Sequence, residues 1–102
     1  MEENLFFKYV AVTIYGTQIL LLQVLLVQGS KSENDLAHYH TIFLTRMPNA
    51  TAYKLKYYLE YLTTNRLITF DATQATYEVS SQGKRFLKEF HALGLTWDKQ
   101  SG

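Results

Sequence analysis

The sequence predicts a single α+β domain, and the second half of the chain carries that prediction. Between residues 49 and 68, apolar side chains recur at the spacing of an amphipathic helix. Two β-prone runs, 67–70 and 76–79, follow with a short loop between them, which is the pattern of a hairpin. A second helical stripe of apolar residues then occupies 81–93. The predicted order is therefore helix, hairpin, helix.

The first of these helices is expected to span residues 51–64 and to have a buried side and an exposed side. Thr51 is a candidate N-cap, because its hydroxyl can accept a hydrogen bond from a free amide of the first turn. The residues predicted to be buried are Ala52, Leu55, Tyr58, Leu59 and Leu62. The residues predicted to face outward are Tyr53, Lys54, Tyr57, Tyr61 and Thr64. Such an exposed side suits a flat, polar, anionic partner.

Helix, hairpin and helix in this order form the second half of a winged helix-turn-helix domain. The runs TAYKLKYYLEYLTTNRLI and YEVSSQGKRFL resemble the small archaeal winged helix-turn-helix family. The likeness covers about residues 19–93 and is most specific over 51–87. It implies DNA binding, usually as a dimer and usually as a cytoplasmic transcriptional regulator. The chain departs from the family pattern at Asn65-Arg66, where a Lys-Gly pair is usual, and at Ala50, where a larger apolar residue is usual.

The winged-helix core is expected to occupy residues 17–93 of a single domain that covers 1–102. Its first helix is predicted at 17–28, where a very apolar run ends at a glycine. The second helix is expected to begin within 33–40. Residues 42–47 are either the end of that helix or a separate third piece, and the turn of the helix-turn-helix follows them.

The two ends of the chain are expected to lie outside this core. Residues 1–16 are an N-terminal extension that favours either strand or helix. It is either an added element on the same monomer or a dimer contact, because extra apolar length with no core to enter is often used for dimerisation. Residues 94–102 form a tail in which Trp97 is expected to pack on the domain or on a second copy. The residues from 98 onward are expected to fray. We therefore expect a homodimer through the extension, the last helix, or both.

Composition narrows the possible partners. The chain has 102 residues, no cysteine and a net charge of +1, which excludes a disulfide scaffold and a bulk DNA coater and is compatible with a reducing compartment. Charge is unevenly distributed, however. Residues 46–88 hold seven Lys/Arg and three acidic residues, a local net charge of +4. This asymmetry directs anionic ligands toward the second half of the chain.

The uncharged run at 9–30 allows a second interpretation, a membrane span. A span needs about 20 apolar residues, and this run is long enough. Three glutamines interrupt it, and a span would remove the first helix of the winged domain, so we expect no membrane anchor. A secretory signal is not expected either, because Glu2 and Glu3 make the start acidic.

No pattern of catalytic or cofactor-binding residues is visible, so we expect neither an enzyme nor a cofactor. The chain has no nucleophile elbow, no phosphate loop and no dinucleotide fingerprint. His38 and His40 are two residues apart, whereas metal pairs on a helix prefer a spacing of three or four, and His91 is distant in sequence. We therefore expect no metal site.

The predicted function is sequence-specific binding to duplex DNA, with the helix at 51–64 in the major groove and the hairpin at 67–79 as the wing. The predicted contacts are Arg46, Asn49, Thr51, Tyr53, Lys54, Lys56, Tyr57, Tyr61, Arg66, Thr73 and Gln74. The wing is expected to contribute less, because its tip has no lysine or arginine.

Two alternatives stay open. One is that Tyr53 and Tyr57 pack on a neighbouring helix or on a second copy of the chain. The other is a winged helix that contacts proteins in a transcription or replication assembly and has no DNA affinity of its own. Near-neutral total charge and the uncharged wing tip favour this second alternative.

Overall fold

A computed structural model describes residues 2–46 and 53–100. Over these ranges the chain forms five α-helices, a three-stranded antiparallel sheet and a short 3₁₀ turn, in agreement with the predicted α+β class. The helices are α1 (Glu3–Thr13), α2 (Gly16–Gln28), α3 (Glu33–Leu44), α4 (Leu55–Thr64) and α5 (Ser81–Ala92). The strands are β1 (Lys31–Ser32), β2 (Ile68–Asp71) and β3 (Thr76–Val79), and the 3₁₀ turn is Trp97–Lys99.

The sheet has the strand order β1-β3-β2, so the second strand of the hairpin lies in the middle. Ile68 pairs with Val79 and Asp71 with Thr76, which confirms the predicted hairpin. Asp71 also organises the loop, because its Oδ1 accepts hydrogen bonds from the backbone N–H groups of Thr73 at 2.9 Å and Gln74 at 3.2 Å. The two-residue strand β1 has no sequence signal of its own and exists through its pairing with β3.

The N-terminal residues enter the hydrophobic core, contrary to the expectation that they lie outside it. They form helix α1, which buries Phe7, Val10 and Ala11, and the following Ile14 is buried as well. The ring of Phe7 meets that of Phe86 on α5 edge to face, with centroids 5.7 Å apart. This apolar stretch therefore has a core to enter, which is that of the same monomer.

Two helix boundaries resolve or correct the predictions. Helix α3 runs without interruption to Leu44, so residues 42–44 are the end of the second helix, while Met47 lies outside the described residues. Helix α4 begins at Leu55 rather than at residue 51, because its N-cap Lys54 is extended and Tyr53 is not helical. Asn49 and Thr51 lie outside the described residues.

Gly83 allows α5 to approach the start of the hairpin closely. A Cβ at this position would collide with the carbonyl oxygen of Leu67 and would lie 2.8 Å from Cγ2 of Val79. Ser80 caps the same helix, and its Oγ accepts a hydrogen bond from the N–H of Gly83 at 2.9 Å. The glycine of the YEVSSQGKRFL run is thus a packing residue.

The C-terminal segment is more firmly held than predicted. Trp97 packs against the hydrophobic core, as expected. Gln100 does not fray, because its Nε2 donates hydrogen bonds to the carbonyl oxygens of Ala11 at 2.7 Å and Ile14 at 3.1 Å. In the described ranges no helix has the length and apolar character needed to cross a bilayer. The uncharged run at 9–30 is divided between α1 and α2.

Candidate nucleic-acid interface

Helix α4 has one buried side and one exposed side, as its spacing predicts. Tyr58, Leu59 and Leu62 are at most 3% exposed and pack in the core. Lys56 and Tyr57 lie on the opposite, exposed side. The helix therefore has an apolar back that fixes its position and a polar front available to a partner.

The N-terminal end of α4 displays a stacked pair of tyrosine rings. The rings of Tyr53 and Tyr57 are nearly parallel, at an interplanar angle of 20°, with centroids 4.5 Å apart. Tyr53 is half-buried, whereas Tyr57 is 49% exposed. Lys54 and Lys56 lie between these two tyrosines in the chain, and both are exposed. We refer to Tyr53, Lys54, Lys56 and Tyr57 together as the tyrosine–lysine surface.

Tyr53 is held from behind by the residues that precede α2. Its ring lies 5.3 Å from that of Tyr15 and meets that of Tyr58 edge to face at 6.0 Å. A hydrogen bond with the Tyr53 side chain, followed by burial, raises the pKa of Tyr15 to about 12. Tyr53 thus packs on neighbouring residues of the monomer, which is one of the interpretations left open for these tyrosines. Tyr57 remains exposed, as the DNA-contact interpretation requires.

Two polar side chains brace the backbone around the stacked pair. Gln18 is 1% exposed; its Oε1 accepts from the N–H of Tyr15 at 2.8 Å and its Nε2 donates to the carbonyl of Tyr58 at 3.2 Å. Nε2 of His40 lies 3.0 Å from the carbonyl oxygen of Tyr53 and must donate, because a carbonyl only accepts. Burial lowers the pKa of His40, and the hydrogen bond to Tyr53 opposes that effect. These contacts hold the backbone in place at Tyr53, before the helix begins.

The hydroxyl of Tyr61, predicted to contact phosphate, already has a partner within the protein. It lies 2.6 Å from Oγ1 of Thr13, so it ties α4 to the end of α1. Its pKa is raised chiefly by burial, while the hydrogen bond with Thr13 opposes the shift. Tyr61 therefore stabilises the position of α4 within the monomer.

The other predicted contacts are spread over the surface. Arg46 is exposed beyond the end of α3, and Thr73 and Gln74 are exposed at the tip of the hairpin. Arg66 is exposed after the C-terminal end of α4, roughly 15 Å along the helix axis from its start. Its φ of 58° is the left-handed conformation that glycine adopts most readily.

A groove between α4 and the hairpin carries acidic residues that sequence reasoning did not assign to the site. It has a volume of about 340 Å³. The residues that line this hairpin groove are Glu33, Lys56, Leu59, Glu60, Thr63, Thr64, Phe70 and Tyr77. The rings of Phe70 and Tyr77 are 4.9 Å apart, and burial followed by the negative charge of Glu33 raises the pKa of Tyr77. The carboxylates of Glu33 and Glu60 would repel a phosphate that entered this groove.

The three histidines do not come together as metal ligands. No group of three or more His, Cys, Asp or Glu residues is placed to hold a metal ion within 2–46 and 53–100. His40 instead contacts Tyr53, and Nε2 of His91 lies 3.3 Å from Nε2 of Gln23. His40 and His91 therefore have contacts that connect neighbouring elements of the fold.

Comparisons with known proteins identify no relative. No family model matches the chain, and neither the curated proteins nor the solved structures contain a match to it.

Proposed function

We propose that this protein is a winged helix-turn-helix protein that binds duplex DNA in a sequence-specific manner, as a homodimeric transcriptional regulator in the cytoplasm. The element order supports the fold assignment: α2, β1, α3 and α4 are followed by the β2–β3 hairpin, with β3 between the other two strands. In this arrangement α3 and α4 are the helix-turn-helix, α4 is the recognition helix and the hairpin is the wing.

The observation that carries the proposal is the tyrosine–lysine surface at the N-terminal end of α4. In helix-turn-helix proteins, the N-terminal residues of the recognition helix contact base edges in the major groove. Here that end carries two exposed lysines and an exposed tyrosine, on a helix whose back is fixed by Tyr58, Leu59 and Leu62. Lysines at this position neutralise phosphates, and the aromatic ring faces the bases.

The proposed dimer uses the outer side of α1. Leu5, Tyr9 and Val12 follow the spacing of one helical face, and they are 58%, 54% and 80% exposed. The inner side of the same helix is buried in the monomer, so only this outer stripe is available for contact with a second copy. A two-fold dimer of this kind would present two copies of α4 to a palindromic site.

The test is the salt dependence of binding to a random 24-base-pair duplex between 50 and 200 mM salt. Because each neutralised phosphate adds about 0.9 to the slope of log affinity against log salt, replacing both Lys54 and Lys56 by alanine should lower the slope by about one to two. The matched control replaces Lys84 and Lys99, which are exposed but belong to α5 and the 3₁₀ turn. Equal losses in both double variants, or a slope of zero in the natural protein, would contradict the proposal.

A second candidate function is a winged helix that binds a protein partner and not DNA. The hairpin groove favours it, because Glu33 and Glu60 make the groove unsuited to phosphate while Phe70 and Tyr77 offer apolar area. This function predicts no salt-dependent affinity for the random duplex. The same titration therefore separates the two candidates.

A further inference from the structure

The stacked rings of Tyr53 and Tyr57 form a rigid aromatic surface at the N-terminal end of α4. Tyr57 exposes about half of its surface, whereas the adjacent Tyr58 is fully buried. The exposed ring does not stand alone, since the parallel ring of Tyr53 supports one side of it at 4.5 Å. A surface of this kind offers an apolar contact area whose position is set before any partner arrives.

The contacts that hold Tyr53 behind the exposed ring of Tyr57 reduce the conformational entropy that is lost when a partner binds. Tyr53 contacts the rings of Tyr15 and Tyr58, and its carbonyl oxygen accepts the hydrogen bond from His40. A tyrosine has only two side-chain torsions to fix, and these contacts already restrict those of Tyr53. Affinity gained by contact with Tyr57 is therefore not lost to ordering the Tyr53 ring that supports it.

The chemistry of the major groove decides what this ring contacts. Each base pair presents hydrogen-bonding groups there, and thymine alone adds an apolar group, the 5-methyl. Proteins that stack unpaired bases instead place several aromatic residues along a groove that follows the strand. Here one exposed ring lies on a helix directly after two exposed lysines, which fits a duplex better than a single strand.

We infer that the Tyr53–Tyr57 stack is the specificity-determining element of the interface and that it selects thymine through its 5-methyl group. Tyr57 supplies the ring that covers the methyl group, and Tyr53 is the positioning residue behind it. This inference rests on the proposed binding to duplex DNA and deepens it, because it names the chemical group that the surface recognises.

The experiment compares two 24-base-pair duplexes of alternating sequence, one made of adenine and thymine and one of adenine and uracil, which differ only by the methyl groups. Burying one such carbon favours the thymine duplex by about fourfold in affinity. Tyr57→Ala should bind both duplexes equally, which also corrects for any difference in duplex shape. Tyr57→Phe should keep the preference, because the ring and not the hydroxyl makes the contact.

The matched control is Leu26→Ala, since Leu26 is 44% exposed on α2 and Tyr57 is 49% exposed on α4. This variant should keep the fourfold preference. If the natural protein binds both duplexes equally and with a steep salt dependence, the inference fails and the proposed function stands. If it binds neither duplex, both fail. Tighter binding to a single-stranded thymine 24-mer than to the thymine duplex would also overturn the inference.

Discussion

The two sides of α4 differ in a way that the residue counts do not reveal. On one side, the tyrosine–lysine surface carries the exposed ring of Tyr57, which stacks on Tyr53. On the other, the hairpin groove contains Glu33, Glu60 and the rings of Phe70 and Tyr77, and Lys56 lies at the boundary because it also lines this groove. The net charge of +4 over residues 46–88 includes one of these acids but not Glu33, which comes from α3. The charge around α4 therefore depends on which elements the fold brings next to this helix, and not only on the charges within residues 46–88.

The largest expected effect comes from removing Gln18, whose side chain holds the backbone around the stacked tyrosines. Gln18→Ala leaves the N–H of Tyr15 and the carbonyl of Tyr58 without their buried partner, so it should lower the free energy of unfolding by about 3 kcal/mol. Chemical denaturation measures this change. Gln23→Ala on the same helix removes an exposed contact and should cost about 0.5 kcal/mol. Equal losses in the two variants would show that the hydrogen bonds of Gln18 do not hold the backbone around the stacked tyrosines.

A smaller effect is expected from the hairpin groove. Glu33→Gln and Glu60→Gln each remove a negative charge that repels phosphate from the hairpin groove. Each should therefore raise affinity for the random duplex about twofold at 0.1 M salt. The matched control is Asp98→Asn, which removes an exposed charge on the 3₁₀ turn and should change affinity less. If all three variants gain equally, total charge and not the groove controls binding, and the contrast between the two sides of α4 disappears.

Strong local signals account for the parts of the fold that sequence reasoning predicted. Helix α2 has a continuous apolar run that ends at Gly29, and the hairpin has two β-prone runs around the loop organised by Asp71. The burial of Tyr58, Leu59 and Leu62 follows from helical spacing alone. In each of these cases the residues that determine the element are close together in the chain.

Contacts between distant residues account for the parts that were not predicted. Helix α4 begins later than expected because the backbone at Tyr53 is held by His40 and its ring by Tyr15, neither of which is near it in sequence. Helix α1 enters the core through contacts such as that of Phe7 with Phe86. The hairpin groove is likewise assembled from α3, α4 and the hairpin, so Glu33 has no local signal that would mark it as part of the site.

The most direct test of the account maps the surface that duplex DNA covers, by nuclear magnetic resonance titration of the ¹⁵N-labelled protein with the random 24-base-pair duplex. We expect the largest amide shifts at Lys54, Lys56 and Tyr57, with smaller shifts at Thr73 and Gln74 on the wing. Shifts confined to the outer side of α1, or no shifts at a saturating duplex concentration, would contradict the claim that the tyrosine–lysine surface binds DNA.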